Sequence, residues 1–242
     1  MKKLFKLYKY SIKRILPLIN LFEINPPYEY VQQINNQAVH SYIGLKKHEL
    51  KKWVIVGGYL GEEVPYILRN YPNCEVIIFE CSKKYIKKIK KRFRENNRVK
   101  IIEKAVSNEE GKFSFYETNL KGSGSLLKVG SLSKESYGME QEEVFEVECT
   151  TLDKILINDD IDVLQLDVQG AELKVLNGAT RVLKKTKAIF TEISLKPNLY
   201  ENSLTFDEIV DFLNQNDFEI CLLGTDTNLT GNALFINRRN IL

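Results

Sequence analysis

Residues 53–61 read Trp-Val-Ile-Val-Gly-Gly-Tyr-Leu-Gly, an unbroken apolar run that ends in glycines. A strand with no polar alternation is buried on both faces, which places it inside a parallel sheet covered by helices on each side. The glycines permit a tight turn and let a ligand approach the backbone closely. Few folds combine a central buried strand with a glycine turn at its carboxyl end, and most of them are doubly wound α/β folds.

The downstream pattern agrees. A helical segment at about Glu62 to Tyr71 is followed by a strand at Val76 to Phe79, a very basic helix from Lys83 to about Asn96, and a strand at Val99 to Ile102. Strands alternating with helices imply a parallel sheet. Alternation in Lys112 to Tyr116 and in Val144 to Thr151 predicts two paired strands. The Gly/Ser-rich stretch between them, at about 121–138, is expected to be a flexible binding lid or a disordered connection. The α/β order then resumes: strand Val163 to Leu166, helix Ala171 to Leu183, strand Ala188 to Ile193, helix Phe206 to Gln215. Two short strands, Phe218 to Leu223 and Asn232 to Ile236, close the chain as an antiparallel hairpin, which plain dinucleotide-binding folds usually lack.

Composition sets limits. With 242 residues and 43% hydrophobic content the chain can bury one large core plus an appendage. The expected units are an N-terminal helical extension, 1–50, and a domain, 51–242. The extension comprises a basic amphipathic helix at 2–22 and, after Pro26-Pro27, a polar helical stretch from about Glu29 to Leu50. The first of these helices packs on the domain or a sister subunit as a homodimer contact, or touches a membrane peripherally. No segment has the roughly 18 to 20 apolar residues of a membrane span. Basic and acidic residues nearly balance, 35 against 32, which argues against a nucleic-acid binder held by bulk charge. The basic helix reads as a solvated face, with anionic-lipid or nucleic-acid binding as the rival. Cys74, Cys81, Cys149 and Cys221 form no C-x-x-C and read as reduced thiols, which places the chain in the cytoplasm, with the inner membrane face as the alternative if the first helix binds lipid.

Three constellations carry chemistry. Glu80 closes the second strand 23 residues beyond Gly57, near the interval at which an acid accepts hydrogen bonds from ribose hydroxyls. Glu62 and Glu63 stand at the following helix start, where they would repel a pyrophosphate but tolerate a sulfonium, a charge argument for S-adenosylmethionine over a dinucleotide. Asp167, Gln169 and Glu172 lie in a strand-turn-helix segment and should face the same cleft as Gly57 and Glu80. Glu192, at the next strand end, adds a carboxylate. No histidine follows His48, so any proton acceptor in the sheet domain is a carboxylate, Asp167 first and Glu192 second. A metal shared by these acids has no ligand-spacing signature, and none is expected.

Phe79-Glu80, Ala105-Val106-Ser107, Ser123-Gly124-Ser125-Leu126, Thr151-Leu152-Asp153, Asp167-Val168-Gln169-Gly170-Ala171-Glu172, Leu176-Asn177-Gly178-Ala179, Glu192 and Asn232-Ala233-Leu234-Phe235 occur in that order. In this series the chain resembles the FkbM family of S-adenosylmethionine-dependent O-methyltransferases, from about Trp53 to Ile236. The resemblance implies a Rossmann-like class I methyltransferase fold with a mostly parallel seven-stranded sheet. It implies that Gly57 and Gly61 line the methionine part of the cofactor, with Gly58 and Cys81 in the same set, that Glu80 holds the ribose, and that Lys104 and Ala105 flank adenine. Asp167 and its loop would face the methyl, with Glu172 completing the catalytic set and Gln169 and Ser125 touching the substrate. That substrate would be a small molecule or glycan carrying a sugar or polyketide hydroxyl. The chain departs from the family pattern at Ile55, where Asp is usual, at Gly58 and Tyr59, where Ala-Asn is usual, and at Gln165, where Lys is common. A steadying acid and a cleft cation would thereby be missing, which leaves a non-catalytic binding module as the rival reading.

Overall fold

The computed structural model describes residues 29–31 by backbone alone, and residues 47–225 and 227–240. The expected helix at 2–22 lies outside the described residues. The elements are β1 (Glu29–Val31), β2 (Lys52–Val56), α1 (Val64–Asn70), β3 (Glu75–Phe79), α2 (Lys83–Phe93), β4 (Val99–Ile102), β5 (Ala105–Val106), β6 (Gly111–Thr118), α3 (Ser131–Tyr137) and β7 (Gln141–Thr150). They continue with α4 (Leu152–Ile155), β8 (Ile161–Leu166), α5 (Glu172–Asn177), a 3-10 turn (Val182–Lys185), β9 (Thr186–Ser194), α6 (Phe206–Gln215), β10 (Phe218–Thr225), β11 (Thr230–Asn237) and a 3-10 turn (Arg238–Asn240).

The main sheet runs β1-β10-β11-β9-β8-β2-β3-β4. Every neighbouring pair is parallel except those made by β11, which is antiparallel to β10 and β9. This is the expected α/β fold, a mostly parallel sheet with a C-terminal antiparallel hairpin. The sheet has eight strands rather than seven, because Glu29–Val31, expected to be helical, pairs in parallel with Leu222–Gly224 of β10. Backbone groups at an open sheet edge gain hydrogen bonds from any extended segment alongside, and here that gain overrides local helical patterning.

Successive residues of a strand point to opposite faces, so the central strands feed two cores. Val54, Val56, Ile77, Phe79, Leu164 and Leu166 meet α5 and α6 on one face. Trp53, Ile55, Val76, Ile78 and Val163 meet α1 and α2 on the other, through Val64, Ile67, Ile89 and Phe93. Thr205 and Glu208 start α6 with a reciprocal capping box.

The helix expected from Ala171 to Leu183 breaks after Asn177. A side-chain carbon on Gly178 would collide with the Ser107 carbonyl. The chain turns there, and the Asp153 carboxylate takes hydrogen bonds from the backbone N–H groups of Arg181 and Val182 and from the Thr180 hydroxyl. The 121–138 stretch is not an unbroken loop either. It pairs Ser125 with Tyr116 and Val129 with Tyr200, and ends in the seven-residue α3. Val129, Met139, Leu199, Tyr200 and Leu229 form a small core beneath it. A second sheet, β5-β7-β6, joins Ala105–Val106 to the two strands expected from alternation.

Among the described residues no helix is long and apolar enough to cross a membrane.

Candidate active site

Strand order reverses about β2: β3 and β4 follow on one side, β8 and β9 on the other. Ligands of open parallel sheets bind outside the carboxyl ends of strands at such a switch point. A cavity of about 640 Å³ lies there, bordered by Gly57, Tyr59, Glu80, Cys81, Lys104, Ala105 and Asp167.

The β2 turn is tied to its neighbours. The N–H groups of Gly57 and Gly58 both donate to the Phe79 carbonyl, and Asp167 N–H donates to the Val56 carbonyl. Gly57 has φ +89°, and a side-chain carbon there would run into the Asp167 carbonyl, so only glycine lets the ends of β2 and β8 close on each other. Gly58 and Gly61, expected to line the cofactor site, do not border the cavity. A side-chain carbon on Gly58 would strike Ile78, and one on Gly61 would meet the Phe93 ring, so both permit close packing behind the turn.

Glu80 steadies the loop. One carboxylate oxygen accepts from Tyr59 N–H at 2.7 Å, and the other accepts from Cys81 and Ser82 N–H, each at 2.8 Å. Burial raises its pKa, those three bonds lower it, and the Glu117 charge raises it again. Glu117 is itself buried and bonded to the Ser82 hydroxyl at 2.7 Å. Sequence reasoning missed Glu117, although an acid in the inward phase of Phe113, Phe115 and Glu117 on β6 was a usable signal. Burial likewise pushes the Cys81 thiol up, which keeps it protonated. Tyr59, left-handed at φ 43°, sets its ring edge-on to Tyr85 with centroids 4.7 Å apart. Gly122 of the 121–138 stretch rests on the Tyr59 ring.

Charge is lopsided around this cavity. Glu80, Glu117 and Asp167 border it, and among the described residues the one bordering cation, Lys104, is paired with Glu148 at 3.1 Å. Such a lining suits a cation better than a pyrophosphate. Phe79, Val106, Phe115 and Leu126 add an apolar wall fit for a planar ring.

Asp167, Gln169, Glu172 and Glu192 do not all face this cavity, as the sequence had suggested they would. Asp167 does, whereas the other three border a second cavity of about 360 Å³ next to it. The two meet at one amide. Gln169 Nε2 donates to Asp167 Oδ1 at 2.7 Å and to Glu192 Oε2 at 2.8 Å. Gln169 Oε1 accepts from the Tyr200 hydroxyl at 2.8 Å, and that hydroxyl also lies 3.0 Å from the Ser123 carbonyl. Gln169 holds a left-handed φ of 55°, a cost of order 1 kcal/mol that this network offsets. Tyr200 lies in an irregular segment with no periodic signal, and the sequence reading passed over it.

The carboxyls of Asp167 and Glu192 are thus joined through the one Gln169 amide. Asp167 keeps an edge open to the cleft, yet the surrounding protein desolvates its carboxyl and raises its pKa, while bonds from Gln169 and Glu192 lower it. Glu172 is turned inward instead. Its Oε1 accepts from Val168 and Gly170 N–H, and burial lifts its pKa to about 7, with the Asp167 charge adding to the rise. Ser125 braces the same loop, donating to the Gln169 carbonyl at 2.8 Å. Glu63 stands at the N-cap position of α1 without a side-chain cap bond, its pKa raised by burial and by Asp167 nearby.

The departures from the family pattern prove to lie mostly off the cleft. Ile55 is buried in the α1–α2 core, and Gln165, rather than facing the cleft, accepts from Trp53 Nε1 at 3.1 Å.

The methyltransferase FkbM domain matches residues 56–220. The 2-O-methyltransferase NoeI of Sinorhizobium fredii is 28% identical over 163 residues, 63% of this chain and 67% of that protein. Among solved structures, a SAM dependent methyltransferase from Aquifex aeolicus aligns at TM-score 0.48 and 10% identity, covering 85% of this chain and 91% of that one. The fibrillarin pre-rRNA processing protein of Methanococcus jannaschii aligns at TM-score 0.49 and 12% identity, covering 84% and 75%. Because the methyltransferase FkbM domain matches residues 56–220, more than half of the chain, the chain belongs to the FkbM methyltransferase family.

Proposed function

We propose that this chain is an S-adenosylmethionine-dependent O-methyltransferase acting on a hydroxyl of a sugar or glycan. The observation that carries the reading is the Gln169 amide, which joins Asp167 on the first cavity to Glu192 on the second. The relative NoeI, named a 2-O-methyltransferase, supports oxygen as the methylated atom.

The lining fits the cofactor. Glu80 would hold the ribose: three of its roughly four lone-pair positions already take N–H groups, which leaves room for a hydroxyl. Ala105, Val106, Phe115 and Leu126 would flank adenine, and Asp167, Glu117 and the Tyr59 ring would face positive charge. Bound there, S-adenosylmethionine supplies an electrophilic methyl on a sulfonium that is already a good leaving group. The protein's share of the work is then positioning and proton removal. Asp167, with Glu192 as the second candidate, accepts the proton that the acceptor hydroxyl loses. Gln169 holds both carboxyls in place, and the 121–127 segment, tied to Tyr85, Tyr200 and the Val168–Gln169 loop, shields the cleft from water.

Calorimetric titration with S-adenosylmethionine tests the cofactor. Absence of binding at millimolar ligand would leave only a non-catalytic module. A labelled-methyl assay on cell-envelope glycans, with Asp167→Ala as control, tests the chemistry, and unchanged turnover in that variant would sink the base assignment.

A further inference from the structure

The second cavity belongs to no part of the cofactor site. Gln169, Glu192 and Ser194 border it. Tyr137, Tyr200 and Thr230 of the C-terminal hairpin also border it. The Tyr137 hydroxyl lies 3.3 Å from the Thr227 hydroxyl, so α3 is joined to the hairpin turn across the rim. The Ser194 hydroxyl makes no hydrogen bond among the described residues. Among the described residues no lysine or arginine borders this cavity, while two carboxyls, Glu172 and Glu192, do.

We propose that this second cavity is the acceptor subsite and that it takes an uncharged, polyhydroxylated ring. The inference rests on the methyltransferase reading and deepens it. Hydroxyls and carboxylates without a cation give a hydroxyl-rich ring donors and acceptors, and they repel an anionic one. Two tyrosine rings offer flat apolar faces to the C–H side of a pyranose. Position completes the argument, because Gln169 borders this cavity and donates to Asp167, which borders the other. A ring seated here would present a hydroxyl toward Glu192 and the Gln169 amide that holds Asp167. Tyr200, bonded to Gln169 and to the Ser123 carbonyl, is a positioning residue that links the covering segment to the pair.

The test is saturation-transfer NMR on the whole chain with S-adenosylhomocysteine present. The probes are millimolar methyl hexopyranosides and the matched methyl hexuronides, which replace a hydroxymethyl group by a carboxylate. Neutral glycosides should show transfer and the hexuronides little or none. Thr230→Trp should abolish the neutral signal while cofactor affinity by calorimetry stays the same. Ser194→Lys should raise hexuronide affinity by about tenfold, the scale of one added charge pair at ~1.4 kcal/mol, and this arm stands even if the tryptophan variant does not fold. Equal signals from both probe classes, no signal from any neutral glycoside, or a neutral signal that survives Thr230→Trp overturns the proposal. Loss of cofactor binding in the unmodified chain would instead overturn the methyltransferase reading, and the calorimetric arm reports that separately.

Discussion

Ile55 of β2 and Gln165 of β8 are register partners in adjacent parallel strands. They stand where the family pattern has an acid and a lysine, so two departures that look independent along the chain are one exchange in space. Gln165 turns to Trp53 Nε1, and Ile55 is only 1% exposed among Val64, Ile78 and Ile89. Ile55→Asp alone would bury a carboxylate without a partner and should cost about 3–5 kcal/mol. Adding Gln165→Lys should restore about 1–3 kcal/mol of that as coupling. Denaturant midpoints of the two singles and the double measure this, and strict additivity would show that the positions act separately.

Asp167→Asn should lower turnover by about 10²–10⁴-fold, the range for losing a positioned proton acceptor, with little change in cofactor affinity. Since burial raises the Asp167 pKa, activity should fall as pH drops through a point above the ordinary aspartate range. A rate–pH profile paired with cofactor titrations checks both statements.

Glu172 has a folded pKa of about 7 against 4.5 for an unperturbed glutamate. A raised pKa means that the folded state favours the neutral acid. The resulting stability is full below pH 4.5 and is lost as pH rises through about 7, by at most about 3 kcal/mol. In Glu172→Gln an amide oxygen can still accept from Val168 and Gly170, both of which use the single atom Oε1. That variant should show a flatter stability profile between pH 4.5 and 7 in urea melts at stepped pH.

Glu80 carries two roles that substitution can separate. Glu80→Ala removes the acceptor of three backbone N–H groups, and each that stays dry costs about 1–3 kcal/mol. Glu80→Gln keeps an oxygen toward Cys81 and Ser82, so stability should fall less while S-adenosylmethionine affinity drops. Calorimetry on both variants, read beside their melting temperatures, gives the separation.

The β2 glycine turn, the Glu80 strand end and the α/β alternation were legible because each is a local pattern of a few residues, set by backbone sterics and hydrophobic periodicity. The Phe206–Gln215 helix matched its pattern to the residue for the same reason. The helix predicted across Gly178 failed because the Ser107 carbonyl, distant in sequence, occupies the space a continuing helix would need. Glu29–Val31 failed in the same way, its helical pattern outweighed by an open edge of β10.

By itself the sequence determined the fold class, the position of the cleft at the strand ends and the kind of acids found there. Only the tertiary structure decided which acids meet. Strand register brought Glu192 to Asp167 and Gln165 to Ile55, β6 delivered Glu117 beside Glu80, and Glu172 was turned away to hold a loop. Side-chain contacts at such separations depend on pairing register and packing, and neither has a periodic trace along the chain.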